Sequence, residues 1–315
     1  MKIRILIKLS VTAGLLFYLF SYKVNISEII NQISIIYPQY YILAYFITLL
    51  GVLFCTKRWH YVLKTKNIKI DFSCLFKYYL LGVFYNHFLP GTIGGDATKM
   101  IRISSEIEGK KAELAISVII ERLFGLITIY FISIIAFIFY HRKLNNTVCI
   151  IIIVILGLMS LFFIFVVFKN FAEIIINKFF YRFPGFRLLA DKIVEFNNNF
   201  NYLNECIQNT KMLIRISIVS LSYYFIAYIG TVFILLLAVN VHVSYIFLLS
   251  WLPLANLILM VPISLNGIGV RETIFVYFFS QNGVSAEAAV SVSILLISLS
   301  VINGLIGVTL DLVKK

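Results

Sequence analysis

The chain has 315 residues, 61% of them hydrophobic and only 13% charged, with a mean hydropathy of +0.97. A soluble domain of that composition could not cover its surface with polar groups, so the bilayer is expected to be the solvent for much of it. The formal charge of +13 points away from nucleic acid, because the basic residues fall between apolar runs, where they encode membrane topology.

The apolar runs reach the length a spanning helix needs, about 20 residues. None shows the strict alternation of a barrel strand. An all-α polytopic fold follows, because backbone polar groups in lipid must be paired within their own segment. The first run, 5–22, follows Met1-Lys2-Ile3-Arg4 as the core of a signal peptide would. Lys8 interrupts it, and Phe20-Ser21-Tyr22-Lys23 offers no small-residue cleavage site, so it is read as an uncleaved first span. Further full spans are predicted over 39–56, 114–140, 148–168, 216–239 and 286–310. Two other stretches differ: 75–98 breaks at Pro90-Gly91, and 245–281 breaks at Pro262 and Gly267-Ile268-Gly269. Such backbone is tolerated at membrane depth only where protein buries it or where it lines a wet cavity.

Between the halves, Phe171, Ile174, Ile175 and Phe179 lie at helical spacing beside Lys178 and Arg182, which predicts a helix lying on the membrane surface. An Asn-rich linker over 197–209 follows it. The chain is thus read as one transmembrane domain over 1–315: a first half 1–168, a connecting segment 169–215 and a second half 216–315. Trp59 and Trp251 are expected as interface anchors. The four cysteines and four histidines are scattered, with no CxxC pair, so no disulfide, metal or cofactor is expected.

Orientation follows from Lys and Arg. The segment 57–69 carries Lys57, Arg58, Lys64, Lys66 and Lys69 without an acid in the basic run, and 1–8, 99–111, 169–215 and Lys314-Lys315 are also basic. The opposite loops hold only Lys23, Arg142 and Lys143. Both termini are therefore expected in the cytoplasm, with the protein in the inner membrane. The broken stretches then become re-entrant elements entering from opposite sides, giving about six full spans plus two re-entrant elements. The spacing agrees: Gly95 and Lys99 follow Pro90 as Gly267 and Arg271 follow Pro262. Inverted repeats with paired Gly/Pro-broken segments are a transporter signature. The alternative is about eight full spans.

Three clusters carry the candidate chemistry. In Asn86-His87-Phe88-Leu89-Pro90-Gly91-Thr92-Ile93-Gly94-Gly95-Asp96-Ala97-Thr98-Lys99, glycines permit close backbone approach. Asp96 is expected to cap a helix starting at Ala97, with Lys99 and Arg102 on one face of it. The helix N-terminus and the two cations favour an anion. The second cluster, around Gly267, Gly269, Arg271 and Glu272, repeats this logic. The third is Glu121-Arg122 inside an apolar span, where a charge costs at least about 2.5–3.5 kcal/mol on insertion scales and so demands partners. Glu121 is expected to meet Arg271 or Lys99, and Arg122 to meet Asp96 or Glu272, as a structural network or as a gate. No nucleophile–base set, HExxH or Walker motif is found, so an enzyme is not expected.

At Asn86…Leu89-Pro90-Gly91…Gly94-Gly95-Asp96…Lys99, at Glu121-Arg122-Leu123-Phe124-Gly125-Leu126, and at Pro262…Ser264…Gly267-Ile268-Gly269-Val270-Arg271-Glu272, the chain resembles the lysylphosphatidylglycerol synthase transmembrane (flippase-domain) family. Lys99 stands where that family often has Arg, and Asn266 where Gly is expected. The resemblance implies a membrane domain that translocates lipids, here as a standalone member without the aminoacyl-transferase domain.

The expected function is therefore translocation of an anionic phospholipid or lipid-linked intermediate. Asn86, Gly94, Gly95, Asp96, Lys99, Arg102, Gly267, Gly269 and Arg271 are expected to contact the substrate, and Glu121, Arg122 and Glu272 to form the gating or ion-pair network. The alternatives are a membrane transferase using Asp96 and Glu121 as carboxylates, and a non-transporting scaffold for an envelope-lipid synthase. The partners expected are an anionic membrane lipid and, beyond it, a lipid-synthesising enzyme or a second copy of the chain.

Overall fold

The structure, a computed structural model, describes residues 2–88, 93–107, 110–167, 206, 208–261, 263–264 and 267–313. The described residues are helical, with no strand among them. In chain order the helices are α1 (Lys2–Tyr22), α2 (Ile26–Ser34), α3 (Pro38–Thr65), α4 (Phe72–Phe88), α5 (Ile93–Ser104), α6 (Lys111–Tyr140), α7 (Asn146–Val167), α8 (Thr210–Ala238), α9 (Tyr245–Leu259), α10 (Val270–Ser280) and α11 (Ala286–Val313). Local chemistry sets several starts. Pro38 opens α3 with its φ already helical. Asn25, Asn209 and Ser244 accept from backbone N–H groups of Ser27, Met212 and Ile246 at 3.0–3.2 Å.

Every predicted full span is a helix. Among the described residues five helices are long and apolar enough to cross a bilayer, and α1 makes a sixth when joined to α2, which leaves it at 88°. One boundary needs correcting. The span predicted to end at 56 continues to Thr65 as α3, so Arg58 is part of a helix and buried. The surface helix expected around Phe171, Ile174, Ile175 and Phe179 lies outside the described residues, as do most of the linker over 197–209 and Pro90-Gly91, Pro262 and Asn266.

The two broken stretches fold as antiparallel hairpins. Gly82 of α4 lies against Gly95 of α5, and Tyr78 donates to Glu106 Oε1 at 2.6 Å near the open end. In the second hairpin Trp251 of α9 stacks on Phe278 of α10 with centroids 4.9 Å apart, and Gly267 lies beside Leu259. With 12 and 11 residues, α5 and α10 reach only about 18 Å, short of a hydrocarbon core of about 30 Å. That disfavours eight full spans.

Span, hairpin, span (α3, α4–α5, α6) thus recurs as α8, α9–α10, α11. The first helices of the two halves pack antiparallel: Thr48 meets Thr231, Gly51 meets Ala227, and Arg58 meets Ser220. Gly51 and Tyr223, equivalent in the Pro90/Pro262 register, touch each other, so the pseudo-twofold axis passes there. Each hairpin then packs on the last span of the other half. α4 lies on α11, where a Cβ on Gly304 or Gly307 would overlap the α4 backbone. α9 lies on α6, where Ser133 donates to the Pro253 carbonyl at 3.1 Å.

Because α3 and α8 run in opposite directions, the hairpins open on opposite faces. The α4–α5 opening lies with Lys66, Lys69, Lys110 and Lys111, and beside the end of α11, where Asp311 pairs with Lys77 and Arg102. The α9–α10 opening lies by Tyr140, which donates to Gln281 at 3.0 Å, next to Arg142 and Lys143. Trp59 and Trp251 are not interface anchors. Both are fully buried, Trp59 donating to Ser117 Oγ at 3.0 Å and Trp251 at the centre of a Phe cluster. Interior helix contacts take up their apolar surface before the bilayer interface can.

Candidate functional site

Between the halves lies a cavity of about 280 Å³, walled by α3, α4, α6 and α8. Its lining includes Arg58, Tyr79, Glu121, Arg122, Thr128, Ser220 and Tyr223. The geometry explains the Glu121-Arg122-Leu123-Phe124-Gly125 motif. Glu121 and Gly125 are one turn apart on one face of α6. Arg58 crosses from α3 to that face and donates through Nε to Glu121 Oε1 at 2.9 Å, with Nη2 on the same oxygen. Its guanidinium fits because Gly125 has no side chain; a Cβ there would stand 3.2 Å from both Nη atoms. Glu121 is 1% exposed and Arg58 6%, so this pair is buried between two candidate spans, where an isolated charge is costly.

A second ion cluster stands beside it. Asp96 forms ion pairs with Arg122 Nε and with Lys99 Nζ, the latter at 2.8 Å. The Lys99 ammonium lies over the Tyr79 ring, 4.2 Å from its centroid, and 5.5 Å from that of Trp59. Cation–π contact and the carboxylate together let an ammonium that is 4% exposed remain inside the protein. Arg58, Lys99 and Arg122 against Asp96 and Glu121 leave a net charge of +1.

The predicted site residues are distributed as follows. Asp96 does not cap α5. That helix begins at Ile93, so Asp96 sits in its first turn and turns to the two cations. Arg122 meets Asp96, one of its two expected partners. Glu121 meets neither Arg271 nor Lys99 directly but Arg58, a residue counted with the basic loop in the sequence reading. Arg102 is not beside Lys99: it reaches Asp311 at 2.7 Å, on the side of α5 facing the end of α11. Asn86 Oδ1 accepts from Gly95 N–H at 3.0 Å and so ties the hairpin arms together. Gly95 is buried, and a Cβ on it would overlap the Gly82 carbonyl; Gly94 is half-buried beside it.

At the second hairpin, Gly267 and Gly269 have φ of 78° and 82°, the left-handed region in which glycine is at ease. Glu272 is 4% exposed and accepts from Gly269 N–H at 2.6 Å and from Ser293 Oγ at 2.6 Å. It is a buried clasp on the loop and the start of α11, without an arginine on its carboxylate among the contacts described. Arg271 curls back toward Gly267 and acts electrostatically on His87 at the tip of the first hairpin. His87 Nε2 is 2.7 Å from Ser300 Oγ of α11. The end of α4 thus reaches α11, the last span of the other half.

Arg58 was missed because it follows Lys57 and precedes three more lysines, a run that reads as a solvated loop. The signal that could have found it is Gly125 one turn after Glu121, a vacancy on the same helix face.

Fold and site together define a polytopic α-helical membrane protein built from two span–hairpin–span halves around a charged central cavity. Residues 5–307 match the family described as the lysylphosphatidylglycerol synthase TM region, and the chain belongs to that family. It is also similar to a curated protein of Methanocaldococcus jannaschii described as a UPF0104 membrane protein, 22% identical over 283 residues, which cover 86% of this chain and 83% of that one. No solved structure matches the chain.

Proposed function

We propose that the protein moves an anionic lipid, a phospholipid or a lipid-linked intermediate, between leaflets of the cytoplasmic membrane. The observation that carries this reading is the cavity between the halves, lined by Arg58, Glu121 and Arg122 with the Lys99–Asp96 pair beside it, the five together carrying a net charge of +1. A purely structural network gains little by carrying unbalanced charge at membrane depth. A phosphate entering beside Arg122, whose side chain is 37% exposed, balances it. Family membership and the pairing of two hairpins support a membrane lipid role. The acyl chains stay in lipid while the headgroup crosses through the polar interior. The face with Lys66, Lys69, Lys110 and Lys111 is assigned to the cytoplasm, with both termini on that side. The chain carries out transport and not bond chemistry: Asp96 and Glu121 are each held by cations, which leaves neither as a free acid or base.

The test is headgroup accessibility of a fluorescent anionic phospholipid in vesicles reconstituted with the purified protein. Protein-containing vesicles are expected to equilibrate the label between leaflets, and Arg122→Gln with Arg271→Gln to slow this at least about tenfold. Label movement no faster than in protein-free vesicles, or movement untouched by the double substitution, rejects the reading.

A further inference from the structure

On the face that carries Lys66, Lys69, Lys110 and Lys111, the turn between α3 and α4 encloses a pocket of about 450 Å³, larger than the charged cavity. Its size falls within the range of about 300–1,000 Å³ usual for ligand sites. His60 and Lys64, one turn apart on α3, form one wall, and the turn residues 67–71 form the other. None of these residues lines the charged cavity.

The turn is held in shape by its own backbone. Asn67, with φ of 53°, ends α3 in the left-handed region. Its N–H donates to the Lys64 carbonyl at 3.1 Å, and the Ile68 N–H donates to the Leu63 carbonyl at 3.1 Å, the pattern of a Schellman cap. Ile68, 2% exposed, packs into the same buried cluster as Leu63. Asp71 is committed to the next helix, its Oδ2 accepting from the Ser73 N–H at 3.1 Å at the start of α4. Lys64 and Lys69 are exposed, and neither is in an ion pair among the described residues. Two ammonium groups and an imidazole therefore line one preformed concavity against a single carboxylate already in use. Membrane topology asks for lysines on this side, but not for a shaped pocket between them.

We infer that this pocket binds the phosphate of an anionic lipid resident in the adjoining leaflet, a lipid other than any that passes through the interior. The donor set fits a phosphate: Lys64 and Lys69 supply charge, and the His60 ring supplies an N–H. Position identifies the lipid as its source. The candidate span α3 ends at Thr65, so the pocket begins where the apolar run stops, at the level of headgroups. Ile68 and Ile70 give it an apolar floor, and the Phe72 ring lies against His60 with centroids 5.9 Å apart. Basic clusters immediately beyond a span recognise anionic headgroups. A lipid seated there ties α3, which carries Arg58, to α4, which carries Tyr79, and braces the charged cavity from outside it. The inference stands whether or not the chain moves lipid.

The experiment titrates the purified full chain, in an uncharged detergent, with phosphatidic acid, with phosphatidylcholine and with inorganic phosphate, and reads binding as the rise in Tm. Phosphatidic acid is expected to raise Tm, and the other two are expected to leave it unchanged. Lys64→Gln with Lys69→Gln is expected to weaken phosphatidic acid binding at least about tenfold, and Lys64→Arg with Lys69→Arg to retain it, which separates lost charge from lost fold. Lys110→Gln with Lys111→Gln removes the same charge from the same face outside the pocket and is expected to change binding less than about threefold, as is Arg122→Gln in the charged cavity. Equal loss from the two glutamine pairs reduces the effect to surface charge and overturns the inference. Loss confined to Arg122→Gln places the lipid in the charged cavity and overturns it too. Inorganic phosphate that stabilises as well as the lipid overturns the lipid source.

Discussion

A guanidinium buried at membrane depth is tolerated here because one carboxylate receives two of its nitrogens and a glycine makes room for it. Removing only one partner exposes the cost. Glu121→Ala leaves Arg58 buried and unpaired and is expected to lower stability by about 3–5 kcal/mol, measured as a fall in Tm of the detergent-solubilised protein. The double change Arg58→Met with Glu121→Leu is expected to recover most of that stability while translocation remains lost; recovered translocation would show that the pair only holds helices together. The arginines of the two motifs separate in the same way. Both are in partly exposed ion pairs, but Arg122, paired with Asp96, is among the residues lining the cavity, and Arg102, paired with Asp311, is not. Partly exposed pairs contribute about 1 kcal/mol or less. Arg102→Ala is therefore expected to change lipid movement less than about twofold, in the vesicle assay that Arg122→Gln slows markedly.

At the scale of elements, close backbone approach decides where helices lie. The first hairpin closes because Gly82 and Gly95 face each other with no side chain between them and Asn86 bonds across the gap. Its seat on α11 depends on Gly304 and Gly307 in the same manner. Without a strong apolar drive between helices in lipid, such packing and hydrogen bonds are what hold them. Gly95→Ala or Gly307→Leu is expected to destabilise the protein by at least about 2 kcal/mol, in line with overpacking. Gly157→Ala on α7, where an added Cβ meets nothing, serves as the control and is expected to leave Tm unchanged. Equal Tm values for all three variants would remove the close-approach argument. The hairpins themselves were legible in the sequence through Pro and Gly within otherwise apolar runs. Which glycines face which was not, because the facing residues lie on different helices.

For the whole molecule, the antiparallel packing of α3 on α8 makes the two halves open to opposite faces. In a variant whose four cysteines are replaced, single cysteines at Lys69 and Ser105 are expected to react with an impermeant maleimide from one side of sealed vesicles. A cysteine at Asn282, between α10 and α11, is expected to react from the other. Labelling of all three from one side would abolish the inverted arrangement and with it the shared cavity. The apolar exterior fits the same picture: α7 is the most apolar of the candidate spans and also the least buried, as a helix facing lipid must be.

What the residues alone determined was the class of protein, the spans, the two broken elements and their repeated order. All of these are written as runs of hydropathy and punctuation by Pro and Gly, which a one-dimensional reading preserves. The tertiary structure decided the pairing of charges. Arg58 and Glu121 are far apart in the chain, as are Arg102 and Asp311, and both pairings depend on which helix faces which. It also decided that Trp59 and Trp251 belong to the interior and that the Asn303 carboxamide is buried with no hydrogen-bond partner among the described residues. Burial is a property of packed neighbours, and no local pattern encodes it for a residue whose neighbours come from other helices far along the chain.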